Sequence, residues 1–314
     1  MAVYIVTGGA GFIGSHLVRH LAELGNSVRV LDNFSTGSRQ NLLGLGKEVE
    51  IVEGDVRDPV AIHGAARNAD YVIHLAAQIS VPASVEDPIT TDEINTRGTL
   101  NVLVAARDGG ARRFVLASSC AVYGDSPHLP MREDDPPAPL SPYAVSKLAA
   151  EHYCQAFHQL YGLPTVALRY FNVFGPGQRA DSPYAAVIPR FEEAVAAGRA
   201  PTVHGDGRQT RDFVYIDNVV EATVLACQSD RAAGRVINIG SGRETSVNEL
   251  TDALSRIAGR EIVASYAPPR PGDIRRSVGD ISLAHDLLGY ECPVSLEDGL
   301  GRTFEFFVGK TRPE

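Results

Sequence analysis

A run of mainly β-branched residues, Val3–Thr7, leads directly into Gly8-Gly9-Ala10-Gly11-Phe12-Ile13-Gly14. An apolar helical pattern then runs through Ile13, Leu17, Val18, Leu21 and Leu24 and stops at Gly25. Strand, glycine turn and helix in this order form the opening unit of a dinucleotide-binding sheet. The glycines allow a tight turn, close approach of the backbone to a pyrophosphate, and close packing of helix on strand. The helix N-terminus then faces the anion. The spacing is Gly-x-x-Gly-x-x-Gly, carried by Gly8, Gly11 and Gly14, with Phe12 and Ile13 at the same cofactor-facing turn.

The segments that follow extend this unit into a sheet. Residues 27–31 predict a second strand that ends at Asp32, 18 residues past Gly14. A carboxylate there can accept from both hydroxyls of an adenosine ribose and repels a 2′-phosphate, which favours NAD over NADP. Asn33, Phe34, Ser35, Thr36 and Gly37 make a polar turn suited to lie over the adenosine. Val49–Glu53 predicts a third strand, after which Asp55, followed by Val56, can reach the adenine amino group. A fourth strand over residues 71–75 runs into Leu75, Ala76, Ala77 and Gln78, where small side chains let a flat ring or phosphate approach the backbone. His74 has no second His, Cys or acid at metal spacing, so it takes a structural role. Residues 92–108 have helical periodicity with Asn95 near the start, and a fifth strand over 114–117 ends in Ser118-Ser119-Cys120. Strands and helices alternating at these intervals predict a parallel, doubly wound α/β sheet whose ligands bind outside the carboxyl ends of the strands.

The next helix brings chemistry to those strand ends. Tyr143 and Lys147 lie four residues apart, on one helical face. Ser141 reads as its N-cap and Pro142 as its first residue. An ammonium group beside a phenol favours the phenolate and lowers its pKa, which would make Tyr143 a proton acceptor for an alcohol. Ser119 is placed to hydrogen-bond the same substrate oxygen. The Pro-rich loop over residues 127–139 is expected to run over the surface. After a sixth strand over 165–169 the pattern changes to shorter elements with more Pro, Arg and Gly. This predicts a dinucleotide-binding domain over residues 1–170 and a smaller lobe over 171–314, with a strand near 236–240 returning to the main sheet. The lobe carries a helix over 184–197, turn-rich β structure over 202–213, helices from Asp217 and Ser246, and a loop with Arg270 and Asp273. Arg211 and Arg270 are suited to phosphate, and Asp273 to a ribose.

Composition narrows the partners. A net charge of −9 and a pI near 5.5 argue against nucleic acid or an anionic membrane. No apolar run is long enough for a transmembrane helix. The first residues have no basic stretch ahead of an apolar one, so a signal peptide is not expected and a cytoplasmic protein is. Cys120, Cys154, Cys227 and Cys292 are too widely spaced for a Cys-x-x-Cys site; reduced thiols and no metal are expected.

Taken together, these stretches resemble the extended short-chain dehydrogenase/reductase family, and within it the UDP-hexose 4-epimerases. The resemblance spans nearly the whole chain. It is carried by residues 7–15, Asp32-Asn33-Phe34, Ser118-Ser119, Val122-Tyr123-Gly124, Ser141 to Lys147, Arg169 to Pro176, and Arg270-Pro271-Gly272-Asp273. It implies that NAD is retained through turnover, bound by the glycine turn, residues 32–37, Asp55, Val56, residues 75–78, Asn95, Tyr143, Lys147 and Phe171. It implies that Tyr143 takes the proton of a sugar 4-hydroxyl, that Lys147 binds the nicotinamide ribose and lowers the pKa of Tyr143, and that Ser119 shares the O4 proton. A UDP-sugar substrate would be held by Asn172, Val187, Arg211, Arg270 and Asp273. The family usually dimerises through helices, here those around residues 92–108 and 142–161, so a homodimer is expected.

Two departures bear on the substrate. Related dehydratases and decarboxylases carry acids directly after the hydroxyl residue, where this chain has Cys120-Ala121; that argues against both neighbours. Glucose/galactose-restricted epimerases tend to have a bulky aromatic seven residues after the arginine equivalent to Arg270, where this chain has Ser277. The smaller side chain leaves room for an N-acetyl group, so UDP-GlcNAc/UDP-GalNAc are expected alongside UDP-Glc/UDP-Gal. Arg179 could instead meet a C6 carboxylate, which keeps a UDP-glucuronate 4-epimerase as the alternative, with another NAD-dependent nucleotide-sugar oxidoreductase beside it. A non-catalytic NAD-binding sensor has no need of Ser119, Tyr143 and Lys147 together.

Overall fold

The computed structural model describes residues 1–180, 186–269 and 274–311. Its centre is a seven-stranded parallel sheet in the order β11-β6-β5-β4-β1-β2-β3. The strands are β1 (Val3–Thr7), β2 (Ser27–Asp32), β3 (Val49–Glu53), β4 (Tyr71–His74), β5 (Arg113–Ser119), β6 (Thr165–Tyr170) and β11 (Arg235–Ile239). Their alternation builds two cores. Tyr4, Val6, Val28, Val30, Ile73, Val115, Val166 and Leu168 face one side; there they meet Leu17, Val18 and Leu21 of α1 (Phe12–Glu23) and Val219, Val220 and Ala222 of α8 (Ile216–Gln228). Ile5, Leu31, Val72, Phe114, Leu116 and Ala167 face the other. They meet α2 (Pro59–Ala66), α5 (Gly98–Asp108) and α6 (Pro142–Tyr161) through Ile62, Leu103, Ala150 and Phe157. A parallel sheet covered on both faces requires such near-continuous apolar strands. Each side chain fully buried in this way stabilises the fold by about 1.5–3 kcal/mol.

Local signals set the ends of α6. Ser141 Oγ accepts from Ala144 N at 3.2 Å, Pro142 occupies the first turn, and the chain leaves through Gly162 in the left-handed region. Before α5 the chain takes a course that periodicity did not show. The short helices α3 (Val81–Glu86) and α4 (Pro88–Asp92) are followed by a π-helical turn over Glu93–Arg97, which places Asn95. Such turns re-aim side chains within a helix.

Beyond β6 the elements are short. β7 (Asn172–Phe174) pairs with β10 (Phe213–Tyr215), β8 (Thr202–His204) with β13 (Ser265–Ala267), and β9 (Thr210–Arg211) with β12 (Thr245–Ser246). Around them stand α7 (Val187–Ala196), α9 (Val247–Ala258), α10 (Ser282–Leu288) and α11 (Leu296–Thr311). A reciprocal capping box, Ser246 with Glu249, starts α9. The Pro-rich loop does not simply cross the surface. Met131 is buried and pairs with Gly279, and Glu133 Oε1 accepts from Asn238 N at 2.7 Å, so the loop forms part of the wall beside the lobe. Among the described residues no helix is long and apolar enough to cross a membrane.

Candidate active site

Parallel register brings the strand ends level: Thr7 lies between Leu31 and His74, and Ser119 beside Tyr170. The glycine turn sits over them. Gly8 has φ +71, and a Cβ there would lie 2.8 Å from Ala76 N; one on Gly14 would lie 2.2 Å from Gly8 O. Only glycine fits at either place. Gly11 caps α1 without any side-chain hydrogen bond, and Phe12 and Ile13 open the helix, so its first N–H groups remain for an anion.

Asp32 is buried. Its carboxylate accepts from Ala10 N at 2.9 Å and Phe34 N at 2.8 Å, which orients it while leaving lone pairs for a diol. Phe34 takes φ 57, with the Arg39 guanidinium 4.2 Å above its ring, and Ser35 N donates to Asn33 Oδ1 at 3.0 Å. Ser38 N donates to Ala10 O at 3.0 Å, so the loop holding Thr36 and Gly37 is pinned against the glycine turn. Asp55 is gripped by Arg57 and Asn33, whose hydrogen bonds hold its carboxyl well below the usual carboxylate range. Val56 is buried against Gly98.

On the opposite wall Leu75 N donates to Thr7 O and Ala76 N to Thr7 Oγ1, and Ala77 continues to Gln78. Asn95 clamps Gln78 from both sides: Oδ1 accepts from Gln78 N at 2.7 Å, and Nδ2 donates to Gln78 O at 2.9 Å and to Ser146 Oγ at 3.0 Å. His74 has the expected structural setting. Thr99 gives its one hydroxyl proton to Asn95 O, so it must accept from His74 Nε2, and Nδ1 accepts from Thr7. Burial holds the imidazole down to about 3, so it stays neutral. These walls fit a dinucleotide: a cradle that a Cβ would fill, free helix N–H groups, and a carboxylate at the ribose end. Phe171 differs from the rest of the proposed cofactor set. Its side chain is packed with Val122, Tyr123 and Met131, and its N–H donates to Ile239 O at 2.9 Å.

Tyr143 and Lys147 project from α6 toward Ser119. Ser84 Oγ accepts from Tyr143 N at 3.1 Å, a second cap on α6 supplied by α3. Lys147 is buried, and its Nζ donates to Ala117 O at 2.8 Å. Burial pulls the ammonium down to about 8, while Glu151 pulls the other way. The expectation that Lys147 lowers the pKa of Tyr143 is corrected here. Burial pushes the phenol up to about 12, with only the nearby Ser119 acting to lower it, and Lys147 Nζ stands 6.0 Å from the ring centre.

Next to Ser119, burial raises the Cys120 thiol to about 11, with the nearby Ser277, which is 5% exposed, acting to lower it. Position 277 therefore lies near Cys120, the residue after Ser119. A cavity of about 560 Å³ opens between α7, β7, β8 and β10; Asn172, Val187, Phe191, Val203, Arg211 and Phe213 are among its lining residues. Asn172 N and Nδ2 both donate to Asp212 O, and Arg211 Nη1 donates to Thr210 O at 2.7 Å. Arg270 and Asp273 lie outside the described residues. Among those described, no group of His, Cys, Asp and Glu could hold a metal ion.

Asp212 was not legible in the sequence. Fully buried between Arg211 and Phe213, its carboxylate accepts from Ser241 N and Oγ, Gly242 N and Gly279 N. It thereby ties the Arg211 strand to the segment after Ser277, and only the distant partners distinguish it from any loop aspartate.

Residues 4–240 match the model of the NAD dependent epimerase/dehydratase family. A UDP-glucose 4-epimerase of Mycolicibacterium smegmatis is 40% identical over 98% of this chain and 99% of its own length. The UDP-N-acetylglucosamine 4-epimerase from Methanobrevibacter ruminantium M1, solved in complex with UDP-N-acetylmuramic acid, superposes with a TM-score of 0.95 at 38% identity, covering 99% of each chain. A mutant UDP-glucuronic acid 4-epimerase from Bacillus cereus, in complex with UDP-4-deoxy-4-fluoro-glucuronic acid and NAD, gives a TM-score of 0.90 at 33% identity, over 97% of this chain and 98% of that one. The chain belongs to the NAD dependent epimerase/dehydratase family, among its extended short-chain dehydrogenase/reductase UDP-sugar 4-epimerases, which are isomerases with NAD as cofactor.

Proposed function

We propose that the protein is a 4-epimerase of UDP-hexoses that interconverts UDP-Glc with UDP-Gal and UDP-GlcNAc with UDP-GalNAc. The observation that carries this reading is the meeting of Ser119, Tyr143 and Lys147 with a non-acidic Cys120 and a small Ser277. When bound, NAD⁺ supplies a hydride acceptor at C4 of the sugar and gives the hydride back to the other face of the 4-keto sugar. Tyr143 takes the O4 proton as C4 is oxidised and returns it as C4 is reduced, so neither protons nor electrons are lost over a turnover. Ser119 bonds the same oxygen. Lys147, as an ammonium, binds the nicotinamide ribose. Asn172, Val187 and Arg211 hold the UDP with Arg270 and Asp273, which leaves the hexose free to present either face. With Cys120 and Ala121 in place of acids, no group assists elimination or decarboxylation.

UDP-glucuronate is the second reading, favoured by the likeness to the Bacillus cereus enzyme. The deciding experiment is incubation of the purified protein with UDP-Glc, UDP-GlcNAc and UDP-GlcA separately, without added NAD, followed by separation of the products. Interconversion of a C4 pair supports epimerisation and names the hexose. Net NADH or a 4-keto-6-deoxy sugar would overturn it. Exposed Val85, Ile89, Val145, Leu160 and Tyr161 on α3, α4 and α6 support a homodimer, which light scattering on the eluted protein tests.

A further inference from the structure

We propose that Glu151 is a positioning residue for the reaction: its buried carboxylate, fixed by Ser118 and Arg169, keeps the Lys147 side chain an ammonium ion. The proposal rests on the role given above to Lys147. Glu151 follows Lys147 by one helical turn on α6, so the two share a face. It is 2% exposed, and three donors converge on it. Ser118 Oγ donates to Oε1 at 2.5 Å, and Arg169 donates from Nε to Oε1 at 3.0 Å and from Nη2 to Oε2 at 2.8 Å. Ser118 follows Ala117, whose carbonyl receives Lys147 Nζ, so the carboxylate's anchor and the ammonium's acceptor are consecutive residues of β5.

The remaining groups around the cluster leave this carboxylate as the anion that serves Lys147. From β4, His74 is neutral. From α6 itself, burial and Glu151 keep the Cys154 thiol protonated. The Tyr143 and Tyr123 phenols are both raised by burial. From β6, the Arg169 guanidinium lies 4.6 Å from the Tyr123 ring centre, so its charge is shared between Glu151 and the ring. A bidentate pair joining β6 to α6 would serve stability equally well anywhere along the helix. Here it is placed one turn below the lysine that burial works to discharge.

The chain makes a direct test possible, because its only lysines are Lys47, Lys147 and Lys310. Lysine labelled with ¹³C at the ε carbon, in a Lys47→Arg/Lys310→Arg background, gives a single resonance whose pH titration reads Lys147, with and without added NAD. Removing the carboxylate in Glu151→Gln should lower the midpoint by about one pH unit or more, and removing the cation in Arg169→Gln should raise it by a comparable amount. The double variant should fall between the two. In turnover, the alkaline limb of kcat should follow the same order while KM changes little. A purely structural pair would loosen the fold in both variants and move the titration in one direction or not at all. Either of those results overturns the proposal, and any one variant that folds is enough to read the sign. Absence of epimerisation in the parent protein would instead remove the functional reading, because the lysine titration needs no turnover.

Discussion

Around the glycine turn the ligand-facing surface is made of backbone and of buried groups that hold one another: Gly8 against Ala76, Asp32 on Ala10 and Phe34, Asn95 on Gln78. Around the 560 Å³ cavity it is made of side chains on two- and three-residue strands, steadied by solvent-facing pairs such as Arg275 with Asp206 and Arg276 with Glu244. Exposed pairs of that kind contribute little to stability. The first surface suits a cofactor that stays; the second suits a sugar nucleotide that enters, turns over and leaves. One half of the site is therefore fixed by packing that a single methyl group would disturb, and the other can change its ligand by changing a side chain.

Four substitutions test this division. On the fixed side, Tyr143→Phe should cut turnover by about two to four orders of magnitude while NAD and UDP-sugar binding survive, measured by progress curves and bound-nucleotide content. Near-normal turnover would remove tyrosine as the base. On the yielding side, Glu192 of α7 is buried with both carboxyl oxygens lacking a hydrogen-bond partner among the described residues, and burial pushes it up to about 9. Unfolded, it ionises near 4.5. The unfolded chain therefore releases this proton first, so stability is full below that pH and falls as pH rises toward 9. Glu192→Gln escapes the loss. It should match the parent near pH 4.5 and be more stable by on the order of 3 kcal/mol at pH 7, read as a rise in Tm that grows with pH. A pH-independent difference would sink that account.

Gly14→Ala should weaken NAD retention about 5- to 150-fold, from about 1–3 kcal/mol of overpacking against Gly8 O, as read by cofactor content after gel filtration. Full retention would show that the cradle yields after all. The smallest effect is expected on the sugar side. Ser277→Tyr should lower kcat/KM for the N-acetylated substrates relative to UDP-Glc by about tenfold or more, leaving NAD content unchanged. Equal loss on both substrate classes would refute the role of position 277.

The first half of the site was legible because its signals are local. Gly8, Gly11 and Gly14 within a strand–helix junction, Asp32 at the next strand end, and Ser141-Pro142 before Tyr143 each need only near neighbours to be read. The second half depends on segments far apart in the chain. Ser277 lies beside Cys120, and Asp212 receives N–H groups from residues 241, 242 and 279. The same distance hid one contact of the largely exposed Pro-rich loop, whose Met131 is buried by its pairing with Gly279.

By itself, then, the sequence determined the parallel sheet, its glycine turn, and the position of one helix carrying a phenol and an amine. These follow from steric periods of two and 3.6 residues and from what glycine and proline permit. The tertiary structure decided the charge states. Tyr143 is held up, Lys147 is drawn down with Glu151 against the fall, and Glu192 stays protonated. Desolvation depends on everything that packs around a group, and most of what surrounds these side chains comes from elsewhere in the chain.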